Sequence, residues 1–331
     1  MSSPQPQPSR RSTMSIWGLV EAAGVLLCAA TIAGFLARYW WCFELASHFR
    51  LHLALGLAGA AATLATGHRG RMALLCAVCA AANGMLVLRV FLPAEPVEAH
   101  AKTTLRLVSL NVHTENEQRG LVLRFLQNAN TDVILVMEVN AAWMQALQPL
   151  RTNYSEIVAE PREDNFGIAL FSRLPLTNSE VIELSEAGVP SIAATIFVDK
   201  RTVFLLGTHP LPPGSAENAR LRNEQLHEIA ALVHTQSVPA IVLGDLNCTP
   251  WSPHFVDLIS NSGLKNASPR RGLYGSWPAW LPWARLPLDH GLVSPTIRVI
   301  DKRVGPFVGS DHLPLILDVH VPAENPADAH D

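Results

Sequence analysis

Hydrophobic residues are distributed along the chain in two rhythms. Three long, nearly unbroken apolar stretches come first, Ile16–Ala37, Leu51–Gly67 and Met72–Leu92. Each approaches the roughly 20 residues that a helix needs to cross a bilayer. The second is short and rich in Ala and Gly, which suits a helix packed closely against its neighbours. From Thr103 the apolar runs shorten to strand length: Leu105–Leu110, Val133–Met137, Ile168–Phe171, Ala193–Val198, Val203–Leu206, Ala240–Leu243, His290–Val293 and Leu315–Val319. Several are β-branched and bounded by turn residues, the signature of strands. Two stretches between them have helical spacing. Arg119–Asn130 puts Leu121, Phe125, Leu126 and Ala129 on one face, and Asn218–His234 does the same with Leu221, Gln225, Leu226, Ile229 and Leu232–Val233.

This pattern divides the chain into a polar tail (1–15), a membrane domain of three transmembrane helices (16–92), a Pro- and Glu-containing linker (93–103), a mixed α/β catalytic domain (104–321) and a C-terminal tail (322–331). The tail's Pro, Ser and Gln content predicts disorder. A cleaved signal peptide is the rival reading of the first stretch, but two further stretches follow and no small-residue cleavage pattern is evident. Glu21 and Arg89 lie near the ends of their stretches, where long charged side chains snorkel toward headgroups. Arg10, Arg11, Arg69 and Arg71 mark the cytoplasmic side by the positive-inside rule. The expected location is therefore the cytoplasmic (inner) membrane, crossed several times, with the catalytic domain outside the cytoplasm. Arg38 and Arg50, in the first outer loop, work against that orientation.

Composition agrees with a partly lipid-embedded chain: 49% of residues are hydrophobic and 16% charged, against about 25% charged in an average soluble domain. A net charge of −3 without a basic stripe disfavours a nucleic-acid binder held by bulk electrostatics. Of five cysteines only Cys248 lies beyond residue 80, which excludes a disulfide within the C-terminal domain. Cys76 and Cys79 have redox-motif spacing, but inside an apolar run they read as small helix residues.

Polar residues interrupt the apolar runs at their C-terminal ends, where α/β scaffolds place their sites. Asn111, Glu138, His209 and Gly244-Asp245-Leu246-Asn247 follow such runs, Asp289 follows Leu286-Pro287-Leu288, and Ser310-Asp311-His312 precedes the last one. Taken singly, each fits a turn, a cap or a loop, least easily the Ser310-Asp311-His312 triplet, whose polar groups need partners if buried. Together they supply what phosphate-ester hydrolysis requires: carboxylates for a hard cation, a His–Asp pair for proton transfer, and Asn side chains to hold a phosphate. Arg220 and Arg222 either present cations to a phosphate or belong to a solvated helix face. Trp277, Trp280 and Trp283, interleaved with prolines, form either a lip at the bilayer interface or a packed loop.

From Leu105 to Val319 these segments in their order resemble the endonuclease/exonuclease/phosphatase superfamily, and Gly167-Ile168-Ala169-Leu170-Phe171-Ser172-Arg173-Leu174-Pro175-Leu176 resembles its central strand and turn. The resemblance implies a four-layer α/β sandwich, two packed mixed sheets flanked by helices. It implies Mg²⁺ or Mn²⁺ held by Glu138 with Asn111, and Asp311 at the metal or its water shell. It gives Asp245 the attacking water, Asn247 and His209 the phosphate, and His312, oriented by Asp289, the role of general base. Where some nucleases of the family carry an acidic residue two positions after the first Asn, this chain has His113. That departure puts a second metal site in doubt, with Asn116 as a substitute.

The leading expectation is a membrane-anchored hydrolase of a phosphate ester or pyrophosphate, with membrane lipids as neighbours and a lipid-linked substrate within reach. An extracytoplasmic nuclease is the alternative, nucleic acid being a less favoured partner. A catalytically silent scaffold is the third reading, opposed by the intact set of polar residues. No protein partner is expected.

Overall fold

The protein is described from a computed structural model over residues 15–91, 104–198, 201–268 and 272–322. The expected N-terminal tail with Arg10 and Arg11, the linker with Glu95 and Glu98, and the C-terminal tail lie outside the described residues, apart from Ser15 and Pro322.

Four helices come first: α1 (Ile16–Phe35), α2 (Trp41–Ser47), α3 (Arg50–Thr66) and α4 (Gly70–Phe91). Helices α1, α3 and α4 pack on one another. Two of the four, α1 and α4, are long and apolar enough to cross a membrane. The second expected span is different: α3 has 17 residues and reaches span length only together with α2, from which it is bent by 68°. Around a core of Leu53, Leu57, Leu64 and small residues, the bundle also turns large apolar side chains outward. Leu26, Leu55, Leu74, Met85 and Leu88 point outward, whereas Cys28, Thr31, Arg50, Cys76, Cys79 and Asn83 are buried. Cys76 and Cys79 carry free thiols. Arg50 donates to Asn83 Oδ1 at 3.0 Å, and Asn83 donates to Thr31 Oγ1 at 2.9 Å. Glu21 pairs with Arg69 at 2.8 Å rather than standing alone.

The rest of the chain forms two sheets. In chain order the elements are β1 (Leu105–Asn111), α5 (Arg119–Asn128), β2 (Val133–Met137), α6 (Ala141–Ala146), β3 (Glu156–Glu160), β4 (Ile168–Ser172), β5 (Leu176–Glu183), β6 (Pro190–Val198), β7 (Arg201–Thr208), α7 (Ala216–His234), β8 (Ala240–Asp245), α8 (Pro253–Ser262), β9 (Lys265–Asn266), β10 (Asp289–Val293), β11 (Arg298–Val304) and β12 (Leu315–His320). One sheet has the order β11-β12-β1-β2-β4-β3 and the other β5-β6-β7-β8-β10-β9. Each is antiparallel except for one central parallel pair, β1 with β2 and β7 with β8, and each pair is joined by a helix, α5 or α7. A parallel connection requires such a crossover.

The inner faces of the sheets bury Leu107, Val133, Leu135 and Leu170 against Ile192, Ala194, Leu205, Ile241 and Leu243. The outer face of the first sheet is covered by Val122 and Leu126 of α5 and Trp143 of α6, that of the second by Leu226, Ile229 and Val233 of α7 and Phe255 and Leu258 of α8. The four layers are therefore helices, sheet, sheet, helices. Of the expected apolar face of α5, Phe125, Leu126 and Ala129 pack on the core, while Leu121 is exposed and Val122 is buried in its stead.

The end of β2 depends on an approach that only glycine permits. Val139 donates to Gly167 O at 3.1 Å and accepts from Arg162 N at 3.0 Å. A Cβ at residue 167 would lie 1.8 Å from Val139 O. Gly167→Ala is expected to cost about 1–3 kcal/mol, the usual range for an overpacked interior, and to lower the thermal midpoint of the full chain. An unchanged midpoint would contradict this approach.

Candidate active site

The parallel strands direct their C-terminal ends to one edge of the sandwich, and the antiparallel β10 and β12 begin there. Asn111 ends β1, Glu138 follows β2, His209 follows β7 and Asp245 ends β8. Asp289 opens β10 as the register partner of Asp245, and Asp311 and His312 lead into β12. Glu138, Asn247 and His113 all have positive φ, at 62°, 50° and 60°. Asn tolerates this conformation, but Glu and His pay about 1–3 kcal/mol, a strain found mostly at functional sites.

At the centre, His312 Nδ1 donates to Asp289 Oδ2 at 2.8 Å, and its Nε2 faces Asp245 Oδ2 at 3.5 Å. His209 Nε2 approaches the same Asp245 oxygen at 3.6 Å, and Phe166 packs on the His209 ring. All four residues are buried. Burial favours the neutral imidazole of His312, but the carboxylates of Asp289 and Asp245 outweigh it and lift its pKa to about 10. For Asp289 the balance falls the other way. Burial opposes its charge, yet His312 and a hydrogen bond from Ser276 hold it below the usual carboxylate range. Burial, reinforced by the charge of Asp289, raises the pKa of Asp245 despite the two imidazoles. His290, next to Asp289, is buried against Cys248 O at 2.8 Å, and burial pushes its pKa down to about 3, so it stays neutral.

Beside this cluster, Asn111 Nδ2 donates to Glu138 Oε1 at 2.8 Å, and the Thr114 amide donates to Oε2 at 3.2 Å. Ser310 Oγ donates to Asn111 O at 2.7 Å and so holds the Asp311 loop against β1. Asp311 accepts from Trp277 Nε1 at 3.1 Å and lies 3.4 Å from His113 Nδ1. Among the described residues no group of three or more His, Cys, Asp or Glu side chains is arranged to hold a metal ion, and Glu138 meets only neutral donors. The oxygen donors of Glu138, Asn111 and Asp311 nonetheless suit an ion of the Mg²⁺ type, which takes one or two carboxylates and completes its shell with water and substrate oxygens.

The residues singled out in the sequence are thus gathered at one edge. Two secondary expectations fail. Arg220 lies on the surface with Glu186, Glu217 and Glu224, and Arg222 is fully buried, donating to Asn247 O at 3.0 Å. Neither therefore presents a cation to a phosphate; the solvated-face reading holds for Arg220 and fails for Arg222. Asn116 turns toward Val112 O and Val308 O and accepts from Gln118, so it braces two loops. Thr114 and Trp277 are contacts that sequence reasoning missed. Arg222 could have been found from its register, because it shares the buried stripe of Gln225, Leu226, Ile229 and Val233.

The electrostatics at His312 carry a testable sign. A folded pKa near 10 against an ordinary 6.5 means that the imidazolium stabilises the fold fully below about 6.5 and that this contribution is lost as pH rises through 10. NMR of the ring should show His312 protonated at pH 7.5, and Asp289→Asn should move its titration downward. A ring already neutral at pH 7.5 would contradict the arrangement.

A profile of the Endonuclease/Exonuclease/phosphatase family matches residues 108–312, the segment that carries every residue of this site. A search of curated proteins found no match. Among solved structures, D. rerio TDP2 complexed with single strand DNA product superposes with a TM-score of 0.56 at 15% identity, over 65% of this chain and 98% of that one. The endonuclease/exonuclease/phosphatase from Bacteroides vulgatus gives 0.56 at 19% identity, over 67% and 100%. The human Nocturnin catalytic domain with bound sulfate anion gives 0.54 at 22% identity, over 66% and 96%. At such identities these likenesses speak to the fold, and it is the profile, spanning well over half of the chain, that establishes membership: the chain belongs to the endonuclease/exonuclease/phosphatase family.

Proposed function

We propose that the chain is a membrane-anchored, divalent-metal-dependent phosphoesterase that hydrolyses a phosphate ester or pyrophosphate, with a lipid-linked substrate favoured. The observation that carries this reading is the buried Asp289–His312–Asp245–His209 cluster beside the Asn111–Glu138 pair. Asp245, whose proton affinity is raised by burial, orients the attacking water and accepts its proton. His312 keeps its proton through Asp289 and offers Nε2–H to the charge that builds on the phosphoryl oxygens. This differs from the general-base role implied by resemblance; it is favoured by the two carboxylates, at 2.8 and 3.5 Å, that face the His312 ring and raise its proton affinity. Asn247 and His209 hold the phosphate. Glu138, Asn111 and Asp311 would hold the cation, which supplies charge neutralisation at the phosphoryl oxygens.

Several features support a membrane setting. The helical bundle turns its large apolar side chains outward, as lipid requires. The two arginines that opposed the assigned orientation are engaged, Arg38 with Asp257 and Arg50 with Asn83. Trp280 and Trp283 are 62% and 75% exposed, and His52 of α3 reaches Trp283 O at 3.0 Å, so this lip lies beside the bundle, where Trp favours the bilayer interface. The same machinery would cleave a nucleic-acid phosphodiester, but the net charge of −3 argues against that substrate.

The test is a panel assay of the full chain in nanodiscs with Mg²⁺ or Mn²⁺, against lipid phosphates and pyrophosphates, single-stranded nucleic acid and soluble phosphodiesters. Turnover on a lipid-linked substrate that is abolished by EDTA is expected. Glu138→Ala and His312→Ala should each lower kcat/KM by roughly 10²–10⁴-fold, the usual contribution of a group acting in proton transfer or transition-state stabilisation. No turnover on any substrate, or variants as active as the parent, would overturn the reading. A reporter fused after residue 331 is expected to signal outside the cytoplasm; a cytoplasmic signal would defeat the orientation.

A further inference from the structure

The short helix α2, between the first and second apolar helices, packs on α7 of the catalytic domain. The contact is organised around Glu44. Its Oε2 accepts from Arg222 Nη2 at 2.5 Å and its Oε1 from Ser252 Oγ at 2.5 Å, with both charged residues fully buried. The same guanidinium donates Nη1–H to Asn247 O at 3.0 Å and Nε–H to Asn223 Oδ1 at 2.7 Å. Asn247 is the residue held at φ 50°, with its side-chain amide donating to Pro210 O at 2.9 Å. One turn further along α2, His48 Nδ1 lies 3.1 Å from Thr249 Oγ1 and 3.4 Å from the Thr249 amide. The loop that follows Asp245 is therefore gripped by α2 directly at Thr249 and Ser252, and through Arg222 of α7 at Asn247.

We infer that Glu44 is a positioning residue for the active site, acting through Arg222 to fix the backbone of Asn247, so that the membrane region completes the catalytic machinery rather than only tethering it. This rests on the reading of Asn247 as a phosphate contact. Arg222 cannot shed its charge, and buried charges are tolerated only when paired. Without the Glu44 carboxylate the guanidinium must seek water or another acceptor, and Asn247 O loses the charged donor that fixes its left-handed backbone in place. The exposed Arg38–Asp257 pair also links the two regions, at 2.7 Å. It touches no residue of the site, and exposed pairs contribute little. It therefore separates positioning from mere docking.

The test uses the full chain in nanodiscs, with the best substrate of the panel. Glu44→Gln is expected to lower kcat by about 10–100-fold, the size typical of a partner that orients a reacting group, whereas Arg38→Ala leaves kcat unchanged. In an Asn247→Ala background Glu44→Gln should have little further effect, since residues acting through one another are not additive. Ser252→Ala, which removes one hydrogen bond from Glu44 but no charge, should give a smaller loss in the same direction, and it serves if Glu44→Gln does not fold. Wild-type kcat in Glu44→Gln or in Ser252→Ala, or an equal fold-loss from Glu44→Gln with and without Asn247→Ala, overturns the inference. A wild-type chain inactive on every substrate overturns the phosphoesterase reading and this inference with it; an active wild type with an equally active Glu44→Gln overturns this inference alone.

Discussion

Asp245 and Asp289 face each other as register partners on adjacent antiparallel strands, both removed from water. Two carboxylates cannot be buried side by side without a compensating charge. The imidazolium of His312, which faces both, provides it. Much of the surrounding architecture serves that arrangement. β12 must run beside β1 to bring the Asp311-His312 loop to this edge, and Ser310 must bond to Asn111 O to hold it there. The central parallel pairs then carry Glu138 and His209 to the same edge. The fold is one solution to keeping these charged groups together out of solvent.

The strands and the site were legible for the same reason. Each of the eight apolar runs read as strands became one, because burial on both faces demands a continuous apolar run whatever lies outside it. The polar residues ending those runs were conspicuous against them. What escaped were elements stabilised from elsewhere. β5 exposes most of its residues, and β9 has two residues, so neither carries a hydrophobic period. α2 was hidden for a further reason. Its Glu44 reads in sequence as a loop carboxylate between apolar stretches, and only Arg222, 178 positions away, makes it a buried one. Arg222 itself sat on a visible buried stripe of α7, but a charged residue there suggests solvent until its partner is known.

The bent pair α2–α3 follows from that partnership. An apolar segment running straight from Trp41 to Thr66 would satisfy a bilayer by composition. Glu44 and His48 instead bond to the catalytic domain, and the axis turns by 68° between them and α3. Polar residues in an apolar stretch thus redirected the backbone, a tertiary demand overriding a local one.

The two halves of the site come from different sheets: Asn111, Glu138 and His312 from one, His209, Asp245 and Asp289 from the other. Besides the His312–Asp289 hydrogen bond, a soft acceptor links them, for the Asp245 amide donates to the sulfur of Met137 at 3.2 Å. Thioether sulfur is polarizable and its side chain adaptable, so this seam yields where a carbonyl would hold rigidly. An interior side chain usually counted as filler thereby takes part in holding Asp245 where His312 and His209 meet it.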